Sequence, residues 1–183
     1  MRLFVGIPLP EDIREALTRL AAGVPGARWI RPENYHLTLR FIGEVDGPDV
    51  DDVAEALAAV TAPPLDLQLD GVGHFGDRRR PRVLWAGVTA NRDLEHLQKR
   101  VERRICEAGL APEARKYHPH VTLARLRDAP FKRIGAFLEM NGAFQSRTFA
   151  ADKFVLFESR LGNQGSAYTP QVDYPLVAPM GAN

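Results

Sequence analysis

The sequence predicts a fold of two like lobes, each mixing strands and helices, around a central groove. Two observations carry this. A strand–helix–strand order recurs, opened by "FVGI" at Phe4–Ile7 in the first copy and by "WAGV" at Trp85–Val88 in the second. Each copy then runs through a helix and a Gly/Pro break to a strand that begins His-x-Thr, at His36 and Thr38 and again at His120 and Thr122. The interval from opening aromatic to histidine is 32 residues in the first copy and 35 in the second. A repeated supersecondary unit signals a duplicated architecture. Two copies related by a pseudo-two-fold bring their equivalent strands face to face, so the two His-x-Thr pairs confront each other.

The elements follow in order. Leu3–Ile7 is a β-rich apolar run closed by "PLP". Glu11–Ala22 places Ile13, Leu17 and Leu20 at helical spacing, with acidic residues in its first turn. "GVPG" breaks that helix. Arg28–Ile30 is a short strand and His36–Glu44 a longer one. Asp49–Val60 is a second helix, ended by "TAPP". Leu65–Val72 alternates as a half-buried strand does, and Arg82–Val88 is a further strand. Leu94–Ala108 is a long amphipathic helix stopped by Gly109, and His120–Leu126 is the strand of the second motif. Phe131–Glu139 fits either helix or strand. Phe149–Ser159 and Ala167–Leu176 read as closing strands, with "RLGNQGS" as the turn between them. No linker divides the chain, so residues 1–183 are expected to form one domain built from two interleaved lobes.

Composition excludes several classes. Of 183 residues, 45% are hydrophobic and 26% charged, as in an ordinary globular chain. The net charge of +1 leaves room for a local basic patch but not for a globally basic protein. One cysteine, Cys106, rules out an intramolecular disulfide and a cysteine zinc site, and fits a reducing compartment. No apolar run reaches membrane-spanning length, and "MRLFVGIPLP" reads as a first strand rather than a signal peptide. A cytoplasmic monomer is the expectation.

The doubled motif carries the chemistry. In a strand, residues i and i+2 share a face. His36 and Thr38 therefore line one surface while Leu37 and Leu39 anchor the other, and His120 with Thr122 is backed in the same way by Val121 and Leu123. Imidazole titrates near neutrality, so one ring can accept a proton while a second donates one. Paired acid and base on opposite sides of a substrate suit in-line displacement at phosphorus. Hydroxyls beside each ring suit the non-bridging oxygens. No carboxylate adjoins either motif to hold Mg²⁺, so no cofactor is called for. The residues define the pair but not which histidine gives the proton.

At these residues the chain resembles the 2H phosphoesterase superfamily. Within it, the chain is similar to the RNA 2′,3′-cyclic phosphodiesterase family, also called 2′–5′ RNA ligase-like. The resemblance runs through "RLFVGIPLP", "HLTLRFIGEV", "GVGHFGDRRRPRVLWAGV", "YHPHVTLARL" and "LFESRLGNQGSAYTP". It implies a bilobal α+β fold with antiparallel sheets flanking the groove and helices outside. It implies metal-independent cleavage of a terminal 2′,3′-cyclic phosphate, on RNA ends or nucleotides, to a 2′-phosphomonoester. By the same resemblance His36 is the proton donor to the 3′ oxygen, His120 the acceptor from water, and Thr38 and Thr122 the holders of phosphate oxygens. Ligation to a 2′–5′ linkage is the reverse reaction and a side activity.

Other residues extend the site. Alternation puts Arg40 on the His36 face, where it is expected to meet the phosphate. Arg125 falls on the opposite parity from His120, and a strand end or bulge would have to re-aim it to do the same. "DRRRPR" packs Arg78, Arg79, Arg80 and Arg82 into a loop beside a groove strand, suited to RNA phosphates. Tyr168, Tyr35, Phe41 and Phe75 are candidates to stack a terminal base. His74 and His96 read as surface residues. One rival is a zinc hydrolase ligated by His118, His120 and His36, opposed by Pro119 between the first two. The other is a non-catalytic nucleotide- or RNA-binding module, for which an acid–base pair has no use.

Overall fold

The computed structural model describes residues 1–162 and 165–178. Its strands are β1 (Arg2–Pro8), β2 (Ala27–Trp29), β3 (His36–Glu44), β4 (Leu65–Leu67), β5 (Leu69–Asp77), β6 (Arg80–Val88), β7 (His120–Leu126), β8 (Phe149–Ala151), β9 (Lys153–Gly162) and β10 (Gly165–Pro175). Its helices are α1 (Glu11–Thr18), α2 (Gly47–Ala58), α3 (Arg92–Glu107) and α4 (Phe131–Asn141).

The strands pair antiparallel in the order β10-β9-β1-β3-β7-β6-β5, with β2 alongside β7, while β4 and β8 form a separate small sheet. The expected lobes are the two ends of this path. They meet at a single registered pair, Leu37 with Val121. Each is the residue directly after a motif histidine, so the pseudo-two-fold passes between them. Beyond that pair β3 and β7 diverge, and β2 fills the gap on the β7 side, where Ile30 N–H also donates to Leu123 O.

One face of the sheet is dry. Leu37, Leu39, Val121 and Leu123 join Ile13 and Leu17 of α1, Leu97 and Val101 of α3, and Ile134 of α4 in one buried cluster. The other face carries the histidines and a small hydrophobic cluster of Phe4, Val155 and Phe157, with Tyr168 packed against it. The repeat therefore builds one continuous core behind the sheet and leaves a groove in front.

The first helix ends at Thr18 rather than Ala22, two expected strands are divided, and one open element is decided. Leu65–Val72 is not one strand: Leu65, Leu67 and Leu69 stay buried in unbroken alternation, but the pairing partner changes from β8 to β6 at Gln68. Phe149–Ser159 likewise divides at Asp152 into β8 and β9. Phe131–Glu139 is helical, because Ile134 and Phe137, three apart, both reach the core. The turn expected at Arg160–Ser166 is bracketed by the ends of β9 and β10, and its centre, Asn163 and Gln164, lies outside the described residues.

Candidate active site

β3 and β7 present His36 and His120 in the same way. His36 Nδ1 lies 2.8 Å from the carbonyl oxygen of Asn34, and His120 Nδ1 lies 2.6 Å from that of His118. A carbonyl only accepts, so each Nδ1 carries the proton and donates it two residues back along its own chain. Each neutral ring thus keeps its lone pair on Nε2. At His36 that nitrogen is 2.9 Å from Thr38 Oγ1, whose hydroxyl donates to it. Among the described residues the hydroxyl of Thr122 has no hydrogen-bond partner.

Both rings sit among aromatics. His36 packs 4.6 Å from Phe4, edge-on to Tyr168 at 5.1 Å, and 6.2 Å from Phe157. His120 is edge-on to Phe75 at 4.7 Å and 6.4 Å from Trp85. Phe4 and Trp85 are the opening aromatics of the two repeats. Gly6 follows Phe4 by two residues and makes room for the histidine: a Cβ there would lie 3.3 Å from His36 Cδ2 and 3.2 Å from Leu37 O. Burial penalises the charged form and pushes His36 down to about 4, aided by the positive charges of His120 and Arg125 and opposed by the Asn34 carbonyl. Burial and the His118 charge lower His120 too, opposed by the His118 carbonyl. At neutral pH the free site therefore holds two neutral imidazoles. An anion placed between them raises both pKa values, so binding takes up a proton and is tighter at lower pH. The dissociation constant of sulfate, which does not titrate here, should rise as pH is raised from 5 to 8, by up to about tenfold per unit for one proton per anion. Calorimetry in buffers of different ionisation enthalpy checks this; pH-independent binding would overturn it.

Two register shifts decide the arginines. β3 skips Leu39 between the pairs Val5–Arg40 and Gly6–Thr38, and β7 skips Leu123 between Leu84–Ala124 and Trp85–Thr122. Both bulges fall three residues after the histidine, at equivalent places in the repeat. An extra residue reverses the alternation beyond it. In β7 this turns Arg125 onto the His120 face, where it lines the groove cavity. In β3 it moves Arg40 to a buried position, off the face that simple alternation assigns it, although the residue still borders the same cavity. Arg40 is 8% exposed and ion-paired with Glu102 of α3 at 2.5 Å and with Glu113 at 3.6 Å. It also donates to Ala111 O at 2.5 Å. Residues 111–113 hold the place before His120 that β2 holds before His36. Pro112 has no N–H to pair with β3, and the Arg40 side chain tethers this segment instead.

The remaining candidates separate. Arg78, Arg79 and Arg80 are exposed at the β5–β6 turn, where Asp77 Oδ1 accepts from Arg79 N–H at 2.7 Å. Arg82 lines the cavity with His120 and Thr122. Tyr168 is a half-buried wall beside His36, and Tyr35 is buried in the core. Phe41, in the bulge-reversed position equivalent to Arg125, is 48% exposed and lines the cavity. His96 is exposed as expected, whereas His74 is half-buried with Nδ1 out of solvent. Among the described residues no three His, Cys, Asp or Glu side chains converge to hold a metal, so the zinc reading has no ligand set there. Sequence reasoning missed Tyr117, whose hydroxyl donates to Thr38 O at 3.2 Å, and the cavity-lining Gln98, Arg115 and Lys116. For Tyr117 the signal was its place three residues before His120; the others left none.

A family model described as LigT like Phosphoesterase matches residues 7–85 and 88–168, one half of the repeat each. The chain is a LigT-like phosphoesterase. This phosphoesterase is 36% identical to an RNA 2′,3′-cyclic phosphodiesterase of Aeropyrum pernix, over 80% of this chain and 84% of that relative. It is 32% identical to one of Geobacillus stearothermophilus over 97% of this chain, and spans 58% of that relative's length. The crystal structure of E. coli LigT complexed with 3′-AMP matches the phosphoesterase with a TM-score of 0.79 and 29% identity, covering 97% of this chain and 98% of that one.

Proposed function

We propose that this phosphoesterase hydrolyses a terminal ribose 2′,3′-cyclic phosphodiester on RNA to the 2′-phosphomonoester. Water attacks phosphorus as His120 Nε2 takes its proton. The P–O3′ bond breaks as protonated His36 Nε2 delivers its proton to the leaving oxygen. Thr38, Thr122 and Arg125 hold the non-bridging oxygens, where charge accumulates. The observation that carries this is the matched pair of imidazoles on equivalent strands. Each has Nδ1 committed to a backbone carbonyl, and each has a hydroxyl two residues on. His36, needed as the acid, is the ring held lower in the free site, and the substrate's own negative charge restores its proton. The names of the curated relatives and the nucleotide bound to E. coli LigT support the same substrate class. Ligation to a 2′–5′ linkage runs the same proton transfers backwards, and water favours hydrolysis.

The chain works in this reading as one domain and as a monomer. Among the described residues no helix is long and apolar enough to cross a membrane. The test is product analysis of an oligonucleotide ending in a 2′,3′-cyclic phosphate, incubated with EDTA. A 2′-phosphate end formed at the undiminished rate is expected. Loss of turnover restored by Zn²⁺, or a 3′-phosphate product, would overturn the mechanism.

A further inference from the structure

The cavity lined by His120 and by both motif threonines, of about 530 Å³, has the size of pockets that hold whole small molecules. Among the described residues three of its cations have no acidic partner: Arg125 of β7, Arg82 of β6 and Lys116 of the segment between α3 and β7. The reacting phosphate accounts for Arg125 only. Lys116 stands on a braced support. Arg40 holds Ala111 O, Glu102 accepts from Glu113 N–H at 2.8 Å, Glu113 accepts from Arg115 N–H at 3.1 Å, and Tyr117 donates to Thr38 O. Arg115 and Arg40 spend their charge on Glu113 and Glu102, so this brace is close to neutral. Lys116 and Arg82 are left as unopposed charge in one cavity. Like charges brought together without a counter-ion repel, and an anion relieves that repulsion.

We infer that Lys116 and Arg82 form a second phosphate subsite, which takes the phosphodiester immediately 5′ of the terminal nucleotide. This rests on the cyclic-phosphate reading and specifies its substrate class: an oligonucleotide end with at least one internal linkage, rather than a cyclic mononucleotide. The exposed Arg78, Arg79 and Arg80 are not required for it.

The experiment compares a cyclic mononucleotide, a dinucleotide ending in a 2′,3′-cyclic phosphate, and that dinucleotide with a neutral methylphosphonate linkage. The wild-type enzyme should prefer the charged dinucleotide in kcat/KM, with the difference in KM. Lys116→Ala and Arg82→Ala should each lower the dinucleotide-to-mononucleotide ratio of kcat/KM about tenfold, the scale of one charge-assisted hydrogen bond. The methylphosphonate should behave as the mononucleotide and be insensitive to both substitutions. Equal losses on all three substrates, or a charged dinucleotide no better than the neutral one, would overturn the subsite. Absence of turnover on every substrate would instead overturn the cyclic-phosphate reading beneath it.

Discussion

His36→Ala and His120→Ala are each expected to lower kcat by about 10²–10⁴-fold, the usual contribution of a positioned general acid or base. The double variant should lose far less than the product of the two factors, because groups acting as a unit are not additive. The pH dependence should separate them. Both rings titrate below the ordinary histidine range in the free enzyme. The wild-type kcat/KM profile should therefore be a bell with its maximum below about pH 6.5. Each single variant should lose one limb. Circular dichroism and the denaturant midpoint confirm that the fold survives. A folded single variant with near-full activity would remove that histidine from the mechanism.

The largest contrast after that lies between the two arginines that follow the motifs, which simple alternation assigns to opposite faces. Arg125→Ala should lower kcat/KM about 10²–10³-fold, as loss of a donor to developing oxyanion charge does, without moving the denaturant midpoint. It should also shift the His36 limb to higher pH, because Arg125 is one of the charges that hold His36 down. Arg40→Ala should do the reverse. It leaves the half-buried Glu102 carboxylate, whose Oε2 is out of solvent, without its cation and costs about 3 kcal/mol of stability. Turnover of a cyclic mononucleotide should stay near the wild-type rate. A catalytic defect in Arg40→Ala at full stability would mean that the bulge does not move this side chain off the motif face.

These arginines also mark where the sequence stopped being legible. Periodicity and the repeated opening strands reveal β1, β3, β6 and β7, since a half-buried strand must alternate. The histidine and threonine positions follow from that alternation. A bulge is one extra residue with no composition of its own: Leu39 and Leu123 look like any core leucine. Alternation alone therefore sent Arg40 to the groove, and Arg125 counted as a phosphate candidate only by allowing for a strand end or bulge whose position no residue type marks. Lys116 and Gln98 were invisible for a different reason. They come from an irregular segment and from a helix that only tertiary packing brings to the groove, so no spacing along the chain relates them to the motifs. The break at Gln68 escaped notice because burial continues across it and only the hydrogen-bonding neighbour changes.

The commitment of each Nδ1 to its own strand's carbonyl has an electrical consequence. A catalytic imidazole needs something to fix its tautomer, and where a carboxylate does so it brings a full negative charge to the reaction centre. Here the orienting group at both rings is a neutral dipole, and it costs the chain no additional side chain. The groups that orient the two rings therefore bring no negative charge to them. The attraction exerted by Arg125 is then not opposed by a carboxylate bonded to either ring, and the proton that arrives with the substrate is not drawn onto an orienting carboxylate.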